Sequence, residues 1–243
     1  MRYQFVDCRF ELGEPARGSE LYLEGHIPGA SFLDLDTDLS DLARTGEGRH
    51  PLPAPEAFAA TASRAGVGAG VFVVAYDSGM SGGAARLWWL LRHFGHEDVA
   101  VLDGGIGSWR GRLERGRERV DPARFEARPR SDDTVGAQEL LEGLERDDLL
   151  ILDARSPERY GGAPSIDPVG GRIPGARNLP FENAFPVPAE LLEAPEIVVY
   201  CGSGVTACVD LLALSLSGRP DAKLYPGSWS DWSRRGFPGE SDL

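Results

Sequence analysis

The stretch from Val198 to Ala207 reads Val-Val-Tyr-Cys-Gly-Ser-Gly-Val-Thr-Ala. An apolar run rich in β-branched residues ends at Cys201, glycines follow, and residues 206–214 continue with helix-forming residues at helical spacing. This order predicts a strand, a tight loop and a helix, with the cysteine at the start of the loop. Such a loop points backbone N–H groups inward at a helix N-terminus, which stabilises an anion. We therefore expect the Cys201 thiol to have a lowered pKa, although spacing alone also allows a buried cysteine without a chemical role.

Several short motifs occur twice in the chain. The matched pairs are Phe-Val-Asp-Cys-Arg at 5–9 with Ile-Leu-Asp-Ala-Arg at 151–155, Gly-His-Ile-Pro-Gly-Ala at 25–30 with Gly-Arg-Ile-Pro-Gly-Ala at 171–176, and Val-Val-Ala-Tyr-Asp at 73–77 with Ile-Val-Val-Tyr-Cys at 197–201. The first two pairs share one separation, and the third has a shorter one. The chain therefore contains two copies of one domain, and the first copy carries an insertion between residues 31 and 72.

The fold class follows from the pattern within each copy. Apolar runs typical of strands (3–8, 71–77, 99–103, 149–154, 196–201 and 222–225) alternate with stretches typical of helices (54–65, 82–95, 136–147 and 206–217). This alternation predicts an α/β fold in which each domain has a parallel sheet with helices on both faces. We place the N-terminal domain at 1–116, a charged linker at 117–133 and the C-terminal domain at 134–243. Ligands of such sheets bind beyond the carboxyl ends of the strands, where Cys201 lies.

Composition limits the function classes. The chain of 243 residues has no run approaching about 20 apolar residues, and its N-terminus begins directly with a strand-like pattern, so we expect a cytoplasmic protein. Its three cysteines form no Cys-x-x-Cys pair, which argues against a disulfide framework or a zinc site, and we expect neither metal nor cofactor. A net charge of −13 disfavours nucleic acid and an anionic membrane surface as partners.

The loop sequence Cys-Gly-Ser-Gly-Val-Thr-Ala at 201–207 resembles the active-site loop of the rhodanese superfamily, and within it that of the 3-mercaptopyruvate sulfurtransferases. The tandem repeat, Asp-Gly-Gly at 103–105 and Gly-Ser-Trp-Ser-Asp-Trp at 227–232 extend the resemblance over nearly the whole chain. It implies two tandem rhodanese-like domains. The N-terminal copy should be catalytically silent, because Asp77 stands at the position of Cys201, and we expect Asp77 to cap its own loop.

The resemblance also implies a reaction. Cys201 takes a sulfur atom from a small anionic donor, 3-mercaptopyruvate or thiosulfate, and passes it from a persulfide to cyanide or to a thiol, either thioredoxin-like or of low molecular weight. Arg159, in the first turn of a helix that begins at Ser156, matches the substrate arginine of the family and is expected to bind the donor's anionic group. The loop residues implied in donor binding are Gly202, Gly204, Val205 and Thr206.

The resemblance also implies a second substrate arginine and a catalytic set of Asp, His and Ser. Mercaptopyruvate enzymes carry a second arginine soon after the first, but residues 163–168 contain none, and Arg172 is the nearest candidate. The family's catalytic Asp, His and Ser match Asp36, His50 and Ser203, with His50 as a proton shuttle.

Three alternatives remain at this stage. A thiosulfate-preferring rhodanese would use the same cysteine with a different donor. A cysteine phosphatase of this fold needs an arginine where Ala207 stands, so it is disfavoured. A non-catalytic binding or regulatory module would share the fold without forming a persulfide.

Overall fold

The computed structural model describes residues 2–79, 81–167 and 169–242. The chain divides into two units, one formed by Met1–Asp41 with Leu52–Arg130 and the other by Leu42–Pro51 with Ser131–Leu243. The described residues of each unit form one four-stranded sheet. None of the helices in these ranges has both the length and the apolar character that a membrane span requires.

The first unit is built on the buried strand β3. Its strands are β1 (Arg2–Asp7), β2 (Ser31–Phe32), β3 (Val71–Tyr76) and β4 (Val99–Val101), in the order β2-β1-β3-β4, and all the described pairs are parallel. Its helices are α1 (Arg17–Glu24), α2 (Pro55–Arg64), α3 (Gly83–His93) and α4 (Gly105–Ser108). Helix α3 is buried on nearly every residue, as expected for a helix packed into the core of an α/β domain.

The second unit repeats this arrangement. Its strands are β5 (Leu149–Asp153), β6 (Arg177–Asn178), β7 (Glu196–Tyr200) and β8 (Lys223–Leu224), in the order β6-β5-β7-β8, and again all the described pairs are parallel. Its helices are α5 (Ala137–Glu142), α6 (Pro157–Gly161), α7 (Ala207–Leu216) and α8 (Ser228–Arg234), with short 3-10 turns at Phe181–Asn183 and Ala189–Leu191. Strand β7 is central, and α7 follows it after the cysteine loop.

Identical interactions explain why the two copies share sequence motifs. Arg155 donates through Nε and Nη2 to the buried carboxylate of Asp153 at the end of β5, and Arg9 does the same to Asp7 at the end of β1. The hydroxyl of Tyr200 accepts the N–H of Ile173 at 3.0 Å, as that of Tyr76 accepts the N–H of Ile27 in the first copy. The repeated residues therefore fasten each Ile-Pro-Gly-Ala turn to its sheet.

The predicted fold class is confirmed. Several predicted elements differ at their ends, and helices α1, α4 and α8 were not predicted. The helix predicted at 136–147 ends at Glu142, because Gly143 follows it and glycine is unfavourable within a helix. Strands β2 and β6 were not predicted, since two residues are too short to show a periodicity. Residues 109–136 contain no helix or strand, and the domain boundaries within this segment remain a prediction.

Candidate active site

Cys201 lies directly after β7, at the carboxyl edge of the second sheet, and only 1% of its surface is exposed. The backbone N–H of Gly204 donates to its sulfur at 3.1 Å. Burial raises the pKa of the thiol, but hydrogen bonds from the Thr206 hydroxyl and from the N–H groups of Ser203, Ala207 and Gly204 more than offset this effect. The pKa of Cys201 therefore lies below its ordinary value, as the loop sequence predicts, and favours the nucleophilic thiolate.

A turn at the start of α8 supports the cysteine loop from behind. The hydroxyl of Ser228 accepts the N–H of Cys201 at 3.1 Å, and the N–H of Trp229 donates to the carbonyl of Cys201 at 3.0 Å. Ser228 has a φ of 53°, the one positive φ among the described non-glycine residues. A strained backbone held by such contacts is typical of sites where geometry must be fixed.

The two glycines of the loop have different roles. Gly204 has a φ of 79°, and a Cβ atom on it would lie 2.4 Å from the carbonyl oxygen of Pro226, so the loop requires glycine there. A Cβ atom on Gly202 would instead lie 2.8 Å from Nη2 of both Arg49 and Arg159. Gly202 therefore allows two guanidinium groups to approach the backbone next to the cysteine.

The two arginines share an acidic partner. Nη2 of Arg159 lies 3.2 Å from Oδ2 of Asp167, and Nη1 of Arg49 contacts the other oxygen of the same carboxylate. The Asp167 side chain is 1% exposed, whereas those of Arg159 and Arg49 are 30% and 22% exposed. Nε of Arg159 is buried and has no hydrogen-bond partner among the described residues. This N–H is available to an anion that enters beside the cysteine.

His50 and Ser203 meet in the second unit. Nδ1 of His50 lies 2.8 Å from Oγ of Ser203, and both residues are buried. The segment Leu42–Pro51, which carries Arg49 and His50, belongs to this unit by its contacts. The predicted pairing of histidine and serine is therefore present beside the cysteine loop, and the pair can exchange a proton with a bound molecule.

Asp36 belongs to the first unit, in a turn where its N–H donates to Oδ1 of Asp34. Its role as the partner of His50 remains a prediction. Asp77 has the capping role predicted for it, because its carboxylate accepts the N–H groups of Gly79, Gly82 and Ala84.

Arg172, the predicted second substrate arginine, has other partners. Its guanidinium pairs with Asp242 at 2.8 Å and lies over the Tyr160 ring, and its backbone exchanges hydrogen bonds with Glu240. The geometry gives no support to a role in donor binding. Arg49, which the sequence reasoning missed, lies beside Gly202 and shares Asp167 with Arg159. Its signal in the sequence was its position next to His50.

Other predicted residues have mixed placements. The Thr206 side chain forms a hydrogen bond with the Cys201 sulfur, and Thr206 occupies the N-cap position of α7. Val205 is buried in the loop. Ser156 occupies the N-cap position of α6, but its side chain makes no capping hydrogen bond to the helix backbone. No group of three or more His, Cys, Asp or Glu side chains is placed to hold a metal ion within residues 2–79, 81–167 and 169–242.

Asp210 is a buried acid on α7 that the sequence reasoning also missed. The residue is 0% exposed, and neither carboxylate oxygen has a hydrogen-bond partner among the described residues. Burial, and then repulsion from Cys201, Asp153 and Glu182, raises its pKa well above the ordinary value. The environment of this side chain therefore favours its neutral, protonated form.

Comparison with known proteins decides the family. The model of the rhodanese-like domain matches residues 2–112 and 136–235, which is most of the chain and both copies of the repeat. The chain belongs to the rhodanese family. The resemblance and the tandem-domain fold that the sequence predicted are thereby confirmed.

Individual relatives in this family narrow the class. The chain is 42% identical to a probable 3-mercaptopyruvate sulfurtransferase of Pseudomonas aeruginosa, over 93% of this chain and 88% of that protein. It is 39% identical to the putative thiosulfate sulfurtransferase SseB of Mycobacterium tuberculosis, over 94% and 87%. The crystal structure of SseA from Escherichia coli matches with a TM-score of 0.82 at 35% identity, covering 94% of this chain and 93% of that one. This rhodanese is therefore an enzyme of the sulfurtransferase class, as predicted.

Proposed function

We propose that this rhodanese transfers a sulfur atom from 3-mercaptopyruvate, through a persulfide on Cys201, to a thiol or to cyanide. The observation that carries the choice of donor is the 2.8 Å contact between Nδ1 of His50 and Oγ of Ser203 next to the cysteine loop. Sulfur removal from 3-mercaptopyruvate requires a proton to move, and this pair can move it. Thiosulfate, the second candidate donor, releases sulfite, which leaves as a stable anion and does not have to be protonated.

The first half-reaction begins with the thiolate of Cys201, whose pKa is lowered by hydrogen bonds from Thr206 and from loop N–H groups. The thiolate attacks the sulfur of the donor, a sulfur–sulfur bond forms, and the carbon–sulfur bond breaks with its electron pair left on the enolate of pyruvate. The proton of the donor's thiol passes through Ser203 and His50 to the enolate carbon, which gives pyruvate.

The second half-reaction regenerates the enzyme. A thiolate or cyanide attacks the outer sulfur of the persulfide, the sulfur–sulfur bond breaks, and its electrons return to Cys201. The loop N–H groups that stabilise the resting thiolate stabilise this leaving group in the same way. A thioredoxin-like or low-molecular-weight thiol as acceptor, and a cytoplasmic location, are part of the proposal.

Donor binding is assigned to two arginines. Arg159 offers a buried Nε–H without a partner, and Gly202 leaves room for both Arg159 and Arg49 beside Cys201. A carboxylate bound by such guanidinium edges is held with its neighbouring carbon and sulfur in a fixed direction.

The donor assignment is tested by comparing kcat/KM for 3-mercaptopyruvate and thiosulfate in the unaltered enzyme and in Ser203→Ala and His50→Ala. Because a proton shuttle contributes roughly 10²-fold or more to a rate, each variant should lose about that factor with 3-mercaptopyruvate and less than about threefold with thiosulfate. Cys208→Ala, at a buried cysteine outside the shuttle, is the matched control. Equal losses with both donors would remove the shuttle assignment.

A further inference from the structure

The carboxylate of Asp167 is a fixed part of the donor site. It bridges Arg159 and Arg49, which both flank Gly202, and only 1% of its side chain is exposed. Its backbone N–H is held by the hydroxyl of Ser165 at 3.2 Å. A carboxylate this deeply buried and this firmly paired does not move freely into water, because breaking a buried ion pair is costly.

The charges of the site balance before any donor arrives. Arg49 and Arg159 carry two positive charges, and Asp167 and the Cys201 thiolate carry two negative ones. Without Asp167 the site would carry one net positive charge. An anion that enters the site meets the negative charge of Asp167 at close range, and the energy of that repulsion is proportional to the anion's own charge.

A donor can bind while Asp167 stays in place. Asp167 contacts Arg159 only through Nη2, and Nε on the adjacent edge of the guanidinium is buried without a hydrogen-bond partner among the described residues. Nη2 carries a second hydrogen on that edge. The two oxygens of a carboxylate or sulfonate therefore fit the Nε and Nη2 edge, with Asp167 as a permanent neighbour.

We propose that Asp167 is a specificity-determining residue that selects singly charged sulfur donors over doubly charged ones at the Arg49 and Arg159 site. The inference rests on the proposed function, since it concerns the choice of donor at the same site. 3-Mercaptopyruvate carries one negative charge on its carboxylate, and thiosulfate carries two. The repulsion from Asp167 is twice as large for thiosulfate, so the factor by which it weakens binding is the square of the factor for 3-mercaptopyruvate.

The test is calorimetric binding of two anions that do not donate sulfur, singly charged pyruvate and doubly charged sulfate, to protein with Cys201 intact. Asp167→Asn should tighten pyruvate binding about fivefold and sulfate binding about 25-fold, as expected for removal of one partly screened charge. The matched control is Asp221→Asn. Asp221 is exposed, pairs with Arg219 and follows the C-terminal end of α7, away from the cysteine loop, so this variant should change neither affinity.

Two results would overturn the inference. Equal gains for both anions would show that Asp167 only obstructs the site, and weaker binding of both would show that it positions the arginines. If Asp167→Asn does not fold, the same measurement on the unaltered protein tests the proposal. With Asp167 present, that protein should bind pyruvate at least as tightly as sulfate. Tighter binding of sulfate than of pyruvate would contradict the proposal. Since no sulfur is transferred in this experiment, a failure of the proposed reaction would leave its result unaffected.

Discussion

At the scale of single residues, two opposing effects set the pKa of the buried Cys201 thiol. Burial favours the neutral thiol of Cys201, and hydrogen bonds from Thr206 and from loop N–H groups favour the thiolate. The hydrogen bonds prevail, because several donors converge on one sulfur atom. The sequence predicts the lowered pKa of Cys201 from the two glycines after the cysteine. It does not predict that Arg49 and Asp167, which are far apart in the chain, form an ion pair beside this loop.

Asp210 shows an opposite balance on the neighbouring helix. Its buried carboxyl has no hydrogen-bond partner among the described residues, and its pKa is raised mainly by desolvation and then by the charge of Cys201. The folded protein keeps a proton that the unfolded chain releases above about pH 4. The free energy of unfolding therefore falls as pH rises from about 4 towards the folded-state pKa of Asp210.

Replacing this acid should stabilise the protein. Asp210→Leu removes a buried polar group without a partner, so it should raise the free energy of unfolding by about 1–3 kcal/mol at pH 8 and by much less at pH 4. Urea unfolding at the two pH values measures the difference, and Asp221→Asn controls for loss of an exposed acid. A variant less stable than the parent at pH 8 would mean that the Asp210 carboxyl makes a favourable interaction when ionised.

At the scale of elements, the loop between β7 and α7 combines two glycine requirements. Gly204 is needed by the backbone, since it has a positive φ and lies against the carbonyl of Pro226. Gly202 is needed by the ends of two arginine side chains. The sequence predicts the turn from these glycines, but it cannot tell a glycine required by the backbone from one required by side chains of other segments.

The two glycines should respond differently to the same substitution. Gly204→Ala places a Cβ atom against backbone and imposes an unfavourable φ, so it should lower the free energy of unfolding by about 1–3 kcal/mol. Gly202→Ala meets only flexible guanidinium ends, so it should leave stability within about 0.5 kcal/mol of the parent and raise KM for 3-mercaptopyruvate about tenfold. Urea unfolding and steady-state kinetics separate the two effects. The same stability loss at both positions would contradict this division of roles.

At the scale of the whole molecule, the repeat could be predicted almost completely and the site only in part. Repeated motifs predict two similar domains because the repeated residues make the same contacts in each copy. Asp7 pairs with Arg9 as Asp153 pairs with Arg155, and a tyrosine hydroxyl accepts the N–H of the turn isoleucine in both copies. The two copies differ in the loop that follows the strand ending at Tyr76 in the first copy and at Tyr200 in the second. Asp77 satisfies its loop's N–H groups with its own carboxylate, whereas the equivalent loop in the second copy turns them towards a sulfur atom.

Arg172 illustrates the limit of sequence reasoning at this scale. It is close in sequence to Arg159, yet it pairs with Asp242 near the C-terminus. Arg49 is far away in sequence, but it shares Asp167 with Arg159. Long-range pairings of this kind depend on the tertiary structure, and a local motif search cannot rank them.

The central claim is that Cys201 carries the transferred sulfur, and intact-protein mass spectrometry tests it most directly. Brief incubation with 3-mercaptopyruvate should add the mass of one sulfur atom to the unaltered protein and to Cys208→Ala, and cyanide should remove it. Cys201→Ser should gain no sulfur from either 3-mercaptopyruvate or thiosulfate. A folded parent protein that gains no sulfur from either donor, or a Cys201→Ser variant that still gains it, would contradict the account.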